Sequence, residues 1–156
     1  MQVYRICKKA HATSGQEALS GEGGLRASAR WHTRGRRIVY TATSTPLATL
    51  EIAVNLRQPS VIPDYVVVEV DVPDDDILAL SAEDLPTGWD TRDTEPVVSR
   101  TIGDRWLEGE VSLALQIPSV VVPGQNNVLI NPLHPHFARV SFTDPLPFPF
   151  DPRIKH

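Results

Sequence analysis

The sequence predicts an α+β fold: a single compact domain over residues 1–156, with mixed or antiparallel sheets and a few helices. Three observations carry this. Strand-like and helix-like segments interleave without the regular βαβ rhythm of a doubly wound sheet. Hydrophobic residues make up 41% of the chain, enough for a true core at this length. No Gly-x-Gly-x-x-Gly follows a strand and no Walker-type lysine motif is present, so the two commonest nucleotide cradles of parallel sheets are missing.

Taken in order, residues 3–8 read as a first strand, in which Cys7 fits a small buried hydrophobe better than a nucleophile. The stretch from Ala12 to Gly24 is rich in Gly and Ser and reads as a long loop, a candidate lid. Residues 37–42 form a second strand on β-branched and aromatic content. A helix follows, capped by Ser44 or Thr45, with Pro46 in its first turn, an end near Leu56 and Pro59 as its stop. YVVVEVDV at 65–72 is the clearest strand and is expected near the centre of a sheet, followed by an exposed turn at Asp74-Asp75-Asp76.

Residues 81–95 read as loop with one helical turn at most. Val98, Ile102, Arg105 and Trp106 fit a helix over 97–108, with Gly109 as its stop. A strand over 112–122 is broken at Pro118-Ser119, and shorter strands are expected at 128–130 and 139–142. The proline-rich tail PLPFPFDPRIKH is expected to wrap the surface as an extended segment.

Composition narrows the function classes. The net charge of −4 argues against a broad basic surface for nucleic acid. A local cluster, Arg26, Arg30, Arg34, Arg36 and Arg37, is either solvated surface or a phosphate site. One cysteine excludes an internal disulfide. The opening MQVYRIC lacks a signal-peptide core, and no apolar run approaches the ~20 residues that span a bilayer. The expectation is a soluble cytoplasmic protein.

Within the helix at 45–56, Glu51 lies close on the wheel to Leu47 and Val54, with Leu50 not far round. A carboxylate on such a face must be paired, hydrogen-bonded or protonated. It is either a salt-bridge partner of a nearby arginine or an acid working in a partly desolvated cleft. Asn55, four residues on, would extend the same polar strip. Arg30, beside Trp31, has the fork geometry that suits a diphosphate. Tyr40 ends its strand either as a core residue with its hydroxyl at the rim or as a stacking surface. Ser119 caps or turns the chain, with a substrate contact as the lesser reading, and it lacks a nucleophile-elbow setting. His134 and His136 invite a metal reading, but no third ligand stands at a recognisable spacing, so no metal is expected.

These residues resemble the RES domain, the toxin of bacterial RES–Xre toxin–antitoxin pairs. The resemblance runs through VYRI at 3–6, SARWHTRGRRIVYTATSTPLATLE at 28–51, IGDRWL at 102–107 and IPSVVVPGQNNVLINPLHPHF at 117–137. It implies a fold similar to ADP-ribosyltransferases and an enzyme that consumes NAD as substrate. Such an enzyme cleaves the nicotinamide–ribose bond and passes ADP-ribose to water, phosphate or a protein. It implies Glu51, Arg30 and Tyr40 as catalytic residues, and Arg30, Tyr40, Ser119 and Asn126, or its neighbour Asn127, on the nucleotide. It also implies an Xre-family helix-turn-helix antitoxin as partner in a hetero-oligomer, with no direct nucleic-acid or membrane contact. The chain departs from the family pattern where Ser28-Ala29 replaces two glycines, where His32 replaces an asparagine, and where Asn55 stands near the usual helix-end histidine. Two other classes remain open: an inactive interaction module that keeps the fold, and a metal-assisted hydrolase using His134, His136 and one of Asp74 to Asp76.

Overall fold

In the computed structural model, which describes residues 1–56, 63–92 and 95–154, eight strands form one sheet. They are β1 (Gln2–Lys8), β2 (Val39–Ala42), β3 (Tyr65–Asp71), β4 (Ile77–Ala79), β5 (Ala114–Pro118), β6 (Asn126–Ile130), β7 (Ser141–Phe142) and β8 (Leu146–Phe148). The order is β4-β5-β6-β2-β1-β3-β7, with β8 also on β3. Every pairing is antiparallel except β4 with β5. Four α-helices accompany it: α1 (Gly15–Ala18), α2 (Gly23–Arg26), α3 (Thr45–Ala53) and α4 (Val97–Gly109). The α+β expectation holds. No helix among the described residues is long and apolar enough to cross a membrane.

Register assigns the two faces. Ala42 stands opposite Tyr4 on β1 and Asn127 on β6, and Asn127 stands opposite Ile117 on β5, so these side chains share one face. Two clusters cover that face. Ile6, Ala42, Leu47 and Ala48 seat α3, while Trp31, Leu115, Ile117, Leu129 and Trp106 seat α4 and the segment around Trp31. The other face buries Val3, Val39, Val66, Val68, Val70, Val128 and Ile130 against Ala18, Leu19 and Leu113. Each such aliphatic side chain contributes about 1.5–3 kcal/mol of burial.

Several expectations are corrected. The supposed lid over 12–24 is two packed helical turns: Ser14 caps α1 through Glu17 N–H at 3.1 Å, and Ala18 and Leu19 enter the core. β3 is not central. Its Val66, Val68 and Val70 are buried, but Glu69 and Asp71 are exposed and β1 flanks it on one side only, with short β7 and β8 on the other. The described tail is not extended throughout: it adds a strand, β8, to β3 and then forms a 3-10 turn at Pro152–Ile154. β4 had no clear sequence signal at three residues. Asp76 in the turn before it is largely covered, because its Oδ1 accepts Leu113 N–H at 3.0 Å.

α3 is capped by Ser44, whose Oγ accepts Leu47 N–H at 3.3 Å, and it ends at Ala53 rather than near Leu56. Pro59, its expected stop, lies outside the described residues. Leu47 is buried, whereas Val54, just past the helix, is 61% exposed, so Glu51 sits at the edge of the apolar face. Asn55 does not extend a polar strip. Its Nδ2 donates to the Glu51 backbone carbonyl at 2.8 Å and closes the helix end. α4 ends with the left-handed conformation on Glu110 (φ 45°) instead of Gly109. Its buried stripe is Ser99, Gly103 and Trp106, offset from the apolar spacing seen in the sequence. Ser and Gly carry no hydrophobic signal, and they are there because backbone, not side chain, packs against them.

Candidate functional site

The acidic corner forms where α3 meets the loop end of the β5–β6 hairpin. Pro118 ends β5, and Ser119 N–H bonds to Gln125 carbonyl at 2.8 Å, closing the loop between the strands. Ser119 is buried, and its Oγ accepts the N–H groups of Val121 and Val122 at 3.1 and 3.0 Å. The hydroxyl proton is then directed at Glu51 Oε1, 2.6 Å away. Asn127 Nδ2 reaches the same oxygen at 2.6 Å. Two donors therefore fix one carboxylate oxygen, while Oε2 has no partner among the described residues. The buried Asn127 Oδ1 is likewise unpartnered.

This answers part of the sequence reading. Glu51 is hydrogen-bonded rather than salt-bridged. Ser119 and Asn127 touch the carboxylate itself. Asn126 lies on the opposite face of β6 by strand alternation, and its backbone carbonyl binds Thr43 N–H and Oγ1 at 3.3 and 3.0 Å. Of the two asparagines, the structure brings Asn127 into the corner and leaves Asn126 outside it.

The basic corner is a tight turn. Ala29 N–H bonds to His32 carbonyl at 3.1 Å, which places Arg30 and Trp31 at the tip. Arg30 Nη1 donates to the carbonyls of Trp89 and Thr91 at 3.3 and 2.8 Å. Its Nε and Nη2 have no partner among the described residues. Burial pushes this guanidinium below its ordinary value, while the Glu51 charge, then Asp90 and Tyr40, oppose that shift. Arg30 and Glu51 thus feel one another's charge, with no ion pair between them among the described residues.

α4 holds this turn along one side. Ser99 Oγ donates to the Arg30 carbonyl at 3.0 Å, and Arg100 Nε donates to the Ala29 carbonyl at 3.1 Å. Asp104 accepts Thr33 N–H and Oγ1 at 2.9 and 2.6 Å. Between them Gly103 lets the Trp31 carbonyl come so close that a Cβ there would sit 1.8 Å from its oxygen. Sequence reasoning singled out IGDRWL without a role for Gly103 or Asp104, and it missed Ser99 and Arg100.

Tyr40 is placed differently from the implied stacking role. Its hydroxyl accepts Trp31 N–H at 3.2 Å and bonds His32 Nδ1 at 2.8 Å, while its ring packs with Leu129 and Trp31. Burial drives the phenol far above its usual value, so it stays protonated. Underneath lies Arg5, whose Nη1 donates to the Tyr40 carbonyl at 3.1 Å. Burial lowers this guanidinium, and its Nε is unpartnered.

The arginine cluster is largely neutralised. Arg36 pairs with Asp104 at 3.0 Å and with Glu108, Arg37 donates to Ser20 carbonyl at 2.8 Å, and Arg26 faces Glu22 at 3.6 Å.

Asp76, His134 and His136 do converge, with ligand atoms within 4.8 Å of one another. Asp76 has no recognisable spacing to the histidines in the sequence because it is brought in from the distant turn before β4. Their atoms are already committed. His134 Nδ1 accepts His136 N–H at 3.1 Å, and its Nε2 meets Glu110 carbonyl at 3.2 Å. Asp76 Oδ2 lies 2.6 Å from His136 Nδ1 and 3.6 Å from the Arg139 guanidinium, a poor setting for a cation.

The RES domain family model matches residues 2–151. The chain belongs to the RES domain family. This RES domain is 36% identical to "Toxin Res" of Yersinia enterocolitica, covering 99% of the chain and 100% of that protein. It is 37% identical to "Prs ADP-ribosylating toxin" of Sphingobium sp., over 97% of the chain and 94% of the relative. Among solved structures it resembles a chain of the Mycobacterium tuberculosis MbcT–MbcA toxin–antitoxin complex, with a TM-score of 0.68 at 14% identity. That match covers 94% of this chain and 83% of the other, a likeness of fold.

Proposed function

We propose that this RES domain is the toxin of a toxin–antitoxin pair and that it consumes NAD by cleaving the nicotinamide–ribose bond. The observation that carries the reading is Glu51, fixed through Oε1 by Ser119 and Asn127 with Oε2 left to a ligand, and close enough to Arg30 for their charges to interact. The names of the relatives, two of them "Toxin Res" and "Prs ADP-ribosylating toxin", support it.

The chemistry follows from the geometry. Arg30 offers its unpartnered donors to the diphosphate, where planar forked contacts are strongest. The glycosidic electron pair leaves with nicotinamide, which departs neutral, and positive charge develops on the ribose. A carboxylate already oriented stabilises that charge without reorganising as the bond breaks. The acceptor then bonds to the same ribose carbon and loses a proton, giving ADP-ribose from water, a phosphorylated ADP-ribose from phosphate, or an ADP-ribosylated protein. We assign the partner as an Xre-like antitoxin, by the resemblance and by the toxin–antitoxin complex in which the structural neighbour stands.

The test is NAD concentration over time with purified, partner-free protein, with and without phosphate and with a candidate protein acceptor. Loss of NAD with release of nicotinamide is expected, abolished in Glu51→Gln. NAD loss that persists in that variant refutes the mechanism. No NAD loss under any of these conditions leaves an interaction module that has kept the fold.

A further inference from the structure

We propose that His32 is a positioning residue for the nucleotide-binding arginine, acting through a directed hydrogen-bond chain with Tyr40. This rests on the reading of Arg30 given above. The direction of the chain follows from its ends. The Ala27 carbonyl, 2.9 Å from His32 Nε2, can only accept, so Nε2 carries the proton. In the neutral ring Nδ1 then accepts, and the Tyr40 hydroxyl 2.8 Å away donates to it. With its proton so directed, Tyr40 Oη offers a lone pair to Trp31 N–H at 3.2 Å. The next residue back is Arg30, at the tip of the turn.

The ring is held for this task. His32 is 3% exposed, packed under Tyr40 at a ring separation of 5.7 Å. Gly24 makes room for it: a Cβ there would lie 3.2 Å from Nε2 and 2.1 Å from the Arg36 carbonyl. The charged groups that act on it are Asp104 and Arg100 from α4 and Arg36 from the following loop, of mixed sign. Burial, the largest influence, lowers its pKa and favours the neutral ring the chain requires. An asparagine at position 32 is too short to span Ala27 and Tyr40 in the same way.

Three readouts on the intact protein test it. Long-range 1H–15N correlation on the His32 ring is expected to show a protonated Nε2 and a bare Nδ1 at neutral pH; the opposite tautomer overturns the proposal. Amide exchange at Trp31 is expected to be slow in the wild type and faster in His32→Phe, which keeps a ring and removes both bonds; unchanged exchange overturns it. KM for NAD is expected to rise about tenfold, the worth of roughly one hydrogen bond, with kcat within about twofold. A fall in melting temperature with KM unchanged means a merely structural role and also overturns it. Where His32→Phe does not fold, His32→Asn is read the same way. Should the wild type consume no NAD, the functional reading fails, while tautomer and Trp31 exchange still decide the positioning.

Discussion

The two corners of the candidate site are built by different means. Glu51 is held by side chains, a serine hydroxyl and an asparagine amide that meet one carboxylate oxygen. Arg30 is held by its own backbone, with α4 gripping successive carbonyls of the turn and leaving part of the guanidinium unengaged. A carboxylate that must meet developing charge benefits from fixed donors. On the proposed reading, a cation that follows a flexible diphosphate benefits from a rigid base and a freer head. Damage at the acidic corner should therefore appear in kcat, and damage at the basic corner in KM and stability.

The largest effect should come from Glu51→Gln. Its amide oxygen can still accept from Ser119 and Asn127, so thermal stability should hold while NAD turnover falls about 10²–10³-fold. Equal losses in melting temperature and activity would erase the distinction between the corners. Gly103→Ala is the matching test on the basic side. It drives a methyl group into the Trp31 carbonyl and should destabilise by about 1–3 kcal/mol in urea titration, with KM for NAD raised more than kcat is lowered.

Ser119→Ala should be smaller. It removes one donor from Glu51 and the acceptor of Val121 and Val122 N–H, both half-buried, costing about 1 kcal/mol of stability, with its main effect a lower kcat at little change in KM. The mildest is acid. His32 has its pKa lowered by burial, so the folded state binds its proton less readily than the unfolded chain. Its contribution is complete above the unfolded value of about 6.5 and is lost as pH falls from there through the folded value. Melting temperature should decline over that window, less so in His32→Phe.

Much of the fold was legible locally. The cap at Ser44, the strand at 65–71 and the helix at 97–109 all depend on hydrogen-bonding capacity and apolar spacing within a few residues. The lid reading of 12–24 failed because glycine content speaks of backbone freedom and not of what packs on it. The offset stripe on α4 failed for the same reason, since Ser99 and Gly103 are chosen by a carbonyl from residues 30 and 31.

Sequence by itself determined the cast: an arginine beside a tryptophan, a tyrosine closing a strand, a glutamate on a short helix, and a serine after a proline. Residue chemistry and order are local properties, and they carried the resemblance. Only the tertiary structure decided the connections. Ser119 lies 68 residues from the Glu51 it orients, Ser99 lies 69 from the Arg30 carbonyl it binds, and Asn127 rather than Asn126 faces the corner because strand alternation and the pairing of Ala42 with Asn127 leave one side of β6 toward α3. Such contacts depend on register and helix rotation, which the whole core fixes at once.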